Sequence, residues 1–192
     1  MSLHILILAA GGSIRLRSMK QLVVYKNKPL INHAIELAQS ITEQVTVVLG
    51  SSAENIQSVL SEHVSSIIHT QWQQGMGSSL RYGIQCLPAQ TTAVLMMTCD
   101  QWRLEQQDLQ ALYQMHQANP QQCIASHYDS TIGIPAIFPR ATFKSLLQCH
   151  DQGAKAVLQA HDPLTIALPN AVYDLDTPTD LQMLKSYEAG TS

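Results

Sequence analysis

The stretch from Leu8 to Lys20, LAAGGSIRLRSMK, sets a run of small residues, a hydroxyl and three cations close together. Ala9, Ala10, Gly11 and Gly12 carry little or no side chain, so backbone N–H groups can approach phosphate oxygens closely. Ser13 adds a hydroxyl donor, Arg15 can fork onto a phosphate, and Lys20 brings a mobile point charge. An apolar run, Ile5 to Leu8, leads into this turn. Together these residues have the chemistry needed to hold a nucleoside triphosphate at the end of a β-strand. Charge placement agrees. Residues 15–28 hold five of the eleven Lys and Arg (Arg15, Arg17, Lys20, Lys26 and Lys28), and the first acidic residue is Glu36. A chain of net charge −3 that opens on a purely cationic segment focuses that charge for an anionic ligand. Two other phosphate loops do not fit. The dinucleotide fingerprint needs three spaced glycines, and the Walker loop needs Gly-Lys-Ser/Thr; neither pattern is present.

The elements that must position these groups follow from periodicity. Leu3 to Leu8 reads as a first strand, Gln44 to Leu49 as a second and Val64 to His69 as a short third. Thr92 to Thr98 reads as a buried strand with Asp100 just past its end, and Gln121 to Ser126 as another. Helices are expected over Pro29–Gln39, Ala53–Glu62, Met76–Leu87 and Glu105–Gln117. Further on come a short strand, Gly133 to Phe138, helices over Ala141–Cys149 and Gly153–His161, and a strand-like Leu164–Leu168. DLDTPTDL, residues 174–181, starts a last helix that Thr177 or Asp176 can cap, with Pro178 in its first turn. Alternating strands and helices imply an α/β fold: a single domain with a mostly parallel central sheet and helices on both faces. Ligands of such sheets bind beyond the carboxyl ends of the strands, where Leu8–Lys20 and Asp100 both fall.

Composition bounds the rest. The 192 residues suffice for one domain with a substantial core; 45% are hydrophobic and only 13% charged. The acidic balance makes a nucleic-acid backbone an unsuitable main partner. Cys86, Cys99, Cys123 and Cys149 form no CxxC pair, which suggests reduced thiols in the cytoplasm. The apolar N-terminus reads as a strand and not a signal peptide, and no apolar stretch is long enough to span a membrane. The eight histidines, among them His69, His127 and His150, show no metal-ligand spacing. Met96, Met97 and Cys99 read as core packing.

LAAGGSIRLRSMKQL resembles the signature of the MobA/MocA-like nucleotidyltransferases that act on molybdopterin, and so do later segments in the same order. These are Lys28–Ile31 (KPLI), Trp72 to Gly83 (WQQGMGSSLRYG), Asp100-Gln101, GIPAIFPRATFKSLL followed by HDQGAKAVL, and DLDTPTDL. The likeness covers nearly the whole chain and is closest to the cytidylyltransferase (MocA) branch, where LAAG goes with CTP. The resemblance implies one nucleotidyltransferase domain over 1–192, with a nucleotide-binding half to about residue 125 and an acceptor-side lobe over about 126–192. It implies transfer of a nucleoside monophosphate, CMP from CTP, to a molybdopterin-type phosphate, with Mg²⁺ as cofactor and pyrophosphate leaving. A molybdoenzyme that receives the product is an implied partner.

By that resemblance Arg15, Lys20 and Asp100 are catalytic, and Asp100 and Asp176 hold the metal. Leu8, Ala9, Ala10, Gly11, Gly12, Ser13, Arg15, Lys20, Gly77, Ser78 and Ser79 bind the nucleotide. Gly133, Pro135 and Asp174 lie on the acceptor side, and Asp174 is the other candidate for the metal. Lys20→Ala is expected to abolish transfer and leave the fold intact, as a loop lysine contributes little to stability. Arg17 stands where the family usually has glycine, Trp102 where it has proline, Ile134 where histidine is frequent, and His69 where asparagine is frequent. Two alternatives stay open: a related enzyme with a sugar- or polyol-phosphate acceptor, and a non-catalytic carrier of the molybdenum cofactor.

Overall fold

Strand β1 (Leu3–Ala9) is buried along its whole length, and its alternation feeds two cores at once. Leu3, Ile5 and Ile7 point to one face of the sheet, where α1 (Leu30–Gln39), α2 (Ala53–Gln57) and α4 (Gln106–Ala118) pack. Leu6 and Leu8 point to the other, against α3 (Met76–Gln85), α5 (Phe143–Leu147) and α6 (Ala154–Ala160). A strand covered on both faces reads as continuous apolar sequence, which is what Leu3–Leu8 is. The computed structural model describes residues 2–149 and 153–190, so His150 and the first residues of HDQGAKAVL lie outside the described residues.

The sheet has seven strands. They include β4 (Val45–Leu49), β5 (Ser65–Ile68), β6 (Ala93–Thr98), β7 (Ile124–Tyr128), β8 (Thr131–Pro139) and β9 (Leu164–Ala167), in the order β5-β4-β1-β6-β8-β7-β9. Pairs β1/β4, β1/β6, β4/β5 and β7/β9 are parallel; β8 alone runs against its neighbours β6 and β7. A last helix, α7, covers Pro178–Gly190.

Several boundaries differ from the periodicity. The second helix stops at Gln57 and not Glu62, because Ser58 closes it: its N–H and hydroxyl bond back to Glu54 and Asn55. The strand expected from Gln121 begins at Ile124, and the strand expected from Gly133 begins at Thr131. Asp129 and Ser130, with φ of 44° and 58°, make the two-residue turn between them. A small hairpin, β2 (Val24–Tyr25) and β3 (Lys28–Pro29), was not expected; its turn residues Lys26 and Asn27 also have positive φ.

Arg17 sits at φ 59° and is exposed, with no ion pair among the described residues. A glycine fits that backbone without the roughly 1–2 kcal/mol cost a side chain meets in the left-handed region. Its greater freedom in the unfolded chain cancels part of the gain. Arg17→Gly should therefore leave the fold intact and raise stability by up to about 1 kcal/mol in urea denaturation. A loss of stability would mean that the Arg17 side chain is held by contacts.

Candidate active site

Three segments meet beyond the carboxyl ends of β1 and β6: the loop after β1, the residues after Thr98, and the stretch leading into α7. A small apolar cluster, Leu16, Tyr25, Leu30, Trp102, Leu175 and Leu184, binds them together from beneath. Leu16 is buried between the exposed Arg15 and Arg17, and Leu175 is buried between Asp174 and Asp176. Trp102 makes edge contacts to the rings of Tyr25, Tyr173 and Tyr187, and its N–H bonds the Asp100 carbonyl, which proline could not do. The Leu175 N–H also donates to the Asp100 carbonyl, at 3.1 Å, and Gln101 pairs with Asp174 in an antiparallel bridge.

These pairings bring residues 80 to 161 positions apart into one charge chain. Lys20 Nζ lies 2.5 Å from Asp100 Oδ2 and 2.8 Å from Asp176 Oδ1; the other Asp176 oxygen accepts from Arg15 at 2.7 Å. Burial alone would lower the Lys20 pKa, but Asp100 and Asp176 outweigh it and hold the ammonium above the ordinary lysine range. Burial would raise Asp176, yet Lys20 and Arg15 bring it below the usual carboxylate range. Asp174 makes no ion-pair contact among the described residues, and Lys20 offsets its surroundings only in part. Burial, then Asp100 and Asp176, push it up to about 7. The inner oxygen of Asp100, Oδ1, is buried and accepts no hydrogen bond among the described residues.

Two cavities meet at this chain. One, of about 260 Å³, is lined by Leu8, Ala9, Gly11, Gln21, Trp72 and Ser79 among others. The other, of about 380 Å³, is lined by Arg15, Tyr128, Gly133, Ile134, Lys155, Asp174 and Asp176 among others. Lys20, Met76, Thr98 and Asp100 face both.

The small-residue loop is placed by contacts that its sequence did not announce. Buried Gln21 donates to the Ala9 and Gly11 carbonyls at 2.9 and 3.0 Å. The Ser13 hydroxyl accepts from the Lys20 N–H at 3.2 Å, so it closes the loop. Ala10 is buried, with its carbonyl on the Ser51 N–H, and does not line the first cavity; neither does Gly12, which lies under Trp72. Gly50 is required here, since a Cβ would stand 2.6 Å from Trp72 Cβ and 2.7 Å from the Ala10 carbonyl.

Some expected site residues are used otherwise. Gly77 and Ser78 are buried outside both cavities. The Ser78 and Ser79 N–H groups turn back onto the Gly75 carbonyl, so they are not free for a nucleotide. The Ser78 hydroxyl bonds His69 Nε2 at 2.7 Å, and His69 stacks on Tyr82. Ser79 does face the first cavity. The cationic segment does not act as one surface: Lys28 pairs with Glu36 and Lys26 lies over the Tyr25 ring. Pro135 lies behind Gly133 and Ile134, with its carbonyl taken by Ser126. Thr177, not Asp176, caps α7: Asp180 Oδ2 accepts from the N–H groups of Asp176 and Thr177, and the Asp180 N–H donates to the Thr177 hydroxyl. That frees the Asp176 carboxylate for Arg15 and Lys20.

A family profile described as the MobA-like NTP transferase domain matches residues 5–164. The chain belongs to this family. Among curated relatives, the bifunctional protein GlmU of Alkaliphilus metalliredigens (strain QYMF) is 26% identical over 165 residues, 84% of this chain and 34% of that protein. The chain spans about a third or less of the length of the first such relatives. Among solved structures, Rv0371c from Mycobacterium tuberculosis H37Rv superposes with a TM-score of 0.82 at 22% identity, covering 96% of this chain and 97% of that one. Its complex with manganese gives 0.78 at 20% identity, with 96% and 98% covered. Molybdopterin-guanine dinucleotide biosynthesis protein A from Archaeoglobus fulgidus gives 0.72 at 15% identity, with 96% and 97% covered. At these identities the structural likeness speaks for the fold, that of the MobA-like nucleotidyltransferases. No helix among the described residues is long and apolar enough to cross a membrane.

Proposed function

We propose that this MobA-like domain transfers CMP from CTP to the phosphate of a molybdopterin-type acceptor, with release of pyrophosphate and Mg²⁺ as the working metal. The observation that carries the transfer chemistry is the chain Arg15–Asp176–Lys20–Asp100 at the seam of two cavities. A group transfer between two bound molecules needs such a seam, with cations and carboxylates converging where the reacting atoms meet. The nucleotide takes the cavity beside the glycine loop, and residues from about 126 onward supply the acceptor side. LAAG at Leu8–Gly11 supports CTP, through the shape of the loop, since Ala10 itself faces away from the cavity.

The residues fit a divalent cation. Asp100 Oδ1 is a buried oxygen without a donor, Asp176 offers a second carboxylate close by, and an all-oxygen donor set suits Mg²⁺. Asp100, Asp174 and Asp176 outnumber Lys20 and Arg15, so a triphosphate is admitted to this floor most readily with a cation. When bound, the metal neutralises phosphate charge on both sides of the transfer. Among the described residues no group of three His, Cys, Asp or Glu is arranged to hold a metal ion by itself, so substrate phosphates and water would have to complete the shell. Lys20 and Arg15 neutralise the triphosphate and the departing pyrophosphate. An acceptor phosphate oxygen attacks the α-phosphorus, the bond to the bridging oxygen breaks, and the electron pair leaves with pyrophosphate. A phosphate dianion carries its own lone pairs, so no side-chain base is needed. The four free cysteines accord with a reducing, cytoplasmic setting.

Pyrophosphate release, measured with Mg²⁺, each of the four NTPs and molybdenum cofactor, tests this reading. Turnover with CTP alone is the expected result. A preference for GTP would move the chain to the guanylyltransferase branch. Turnover with a sugar phosphate in place of the cofactor would reassign the acceptor, and Ile134 in place of histidine is where such a change would sit. Cofactor binding with no release from any NTP would favour the carrier.

A further inference from the structure

The acceptor-side cavity is poor in free donors. The Gln101 amide gives both its hydrogens to the carbonyls of Ile134 and Ala171, at 3.0 and 2.9 Å. The Tyr128 hydroxyl donates to the Ile134 carbonyl at 3.1 Å. Arg15 and Lys20 face the carboxylates already described. The Lys155 ammonium, exposed on α6, lines the same cavity and has no carboxylate partner among the described residues. Thr131 lines the cavity as well. Ile132, Ile134 and Met76 supply apolar wall around them.

We infer that Lys155 anchors the anionic group of the acceptor, and that this cavity takes an organic phosphate monoester with a partly apolar body. The inference rests on the nucleotidyl-transfer reading and adds a specificity residue to it. An anion entering the cavity meets the carboxylates of Asp100, Asp174 and Asp176, and the two cations beside them, Lys20 and Arg15, are those assigned to the triphosphate. The acceptor anion needs a further positive charge, and Lys155, which lines the same cavity, supplies one. A flexible ammonium with three donors suits a phosphate that must approach and then turn toward the nucleotide.

The probe is phenyl phosphate, with phenol as its uncharged counterpart, on the full chain. Acetic anhydride labelling read by mass spectrometry should modify Lys155 readily. Phenyl phosphate should protect it, whereas phenol and Mg²⁺–CTP alone should not. By calorimetry, Lys155→Ala should weaken phenyl phosphate at least tenfold, and Lys155→Arg should restore most of the affinity. Both variants should bind Mg²⁺–CTP within twofold of the parent, which also reports that they are folded. Equal phenyl phosphate affinity in parent and Lys155→Ala overturns the inference, as does protection of Lys155 by Mg²⁺–CTP alone. A parent chain that binds Mg²⁺–CTP but not phenyl phosphate overturns it too, and leaves nucleotidyl transfer standing. Failure to bind either ligand overturns both.

Discussion

Lys20→Ala is expected to abolish pyrophosphate release and, at neutral pH, to cost the fold about 3 kcal/mol. The first effect follows from chemistry, since the triphosphate loses its principal point charge. The second contradicts the view of Lys20 as an expendable loop cation. Its side chain is 17% exposed and that of Asp100 is 11% exposed, so the pair is largely withdrawn from water. Removing the ammonium leaves Asp100 and Asp176 unscreened beside Asp174, and breaking a buried pair is costly because one charge stays behind. Asp176 is 34% exposed, which puts the expected cost at the low end for such pairs. Urea denaturation of the metal-free protein reads the loss. Lys20→Ala combined with Asp176→Asn should recover part of the stability and none of the activity. Full transfer by Lys20→Ala would sink the catalytic assignment. Unchanged stability would mean that water already screens the carboxylates.

How far the sequence foretold this arrangement depends on the range of each interaction. The buried strands β1, β4 and β6 announce themselves, because a strand covered on both faces must be apolar at every position. The glycine loop and Asp100 were legible because both sit at strand ends, where such folds bind ligands. The reversed direction of β8 was not legible: alternation is the same whichever way a strand runs. Gln21 passed unnoticed, since an uncharged residue after a motif lysine carries no sign that its amide will hold the Ala9 and Gly11 carbonyls. Ser78 looked like a ligand donor because its N–H stands at a helix start, and nothing local foretold that this N–H turns back onto the Gly75 carbonyl while the hydroxyl meets His69. The separation of Asp174 from Asp176 came from Leu175 and the capping of α7, both tertiary facts. Trp102 and Arg17, where the sequence resembles the family pattern least, each have a local setting: an aromatic niche for one, an exposed turn for the other.

The pH dependence of stability offers a test of the same floor that needs no substrate. Asp174 is raised from the usual 3.8 to about 7 by burial and by the charges of Asp100 and Asp176. The unfolded chain therefore gives up this proton near pH 4, while the folded chain keeps it until about pH 7. Ionisation favours the unfolded state across that window, so the contribution of Asp174 to stability falls as pH rises from about 4 to 7 and is level above it. At about 1.4 kcal/mol for each tenfold change the shift sets a ceiling of about 4 kcal/mol, and because Asp174 is exposed at the surface, screening by water brings the expected loss down to about 1 kcal/mol. His4, His69 and His116 act in the opposite sense. Burial depresses each of them, so their contribution improves as pH climbs toward 6.5. Asp176, held below the usual range, completes its change in more acid solution. Comparing the parent with Asp174→Asn cancels these shared terms. The variant should match the parent near pH 4 and exceed it by a growing margin up to a plateau just above pH 7. Saturating Mg²⁺ should shrink that margin, because a divalent cation beside Asp174 restores the charge balance that the asparagine supplies by neutrality. A margin that does not vary with pH would mean that Asp174 ionises like an exposed carboxyl, and the acidic floor would then be less crowded than its geometry requires.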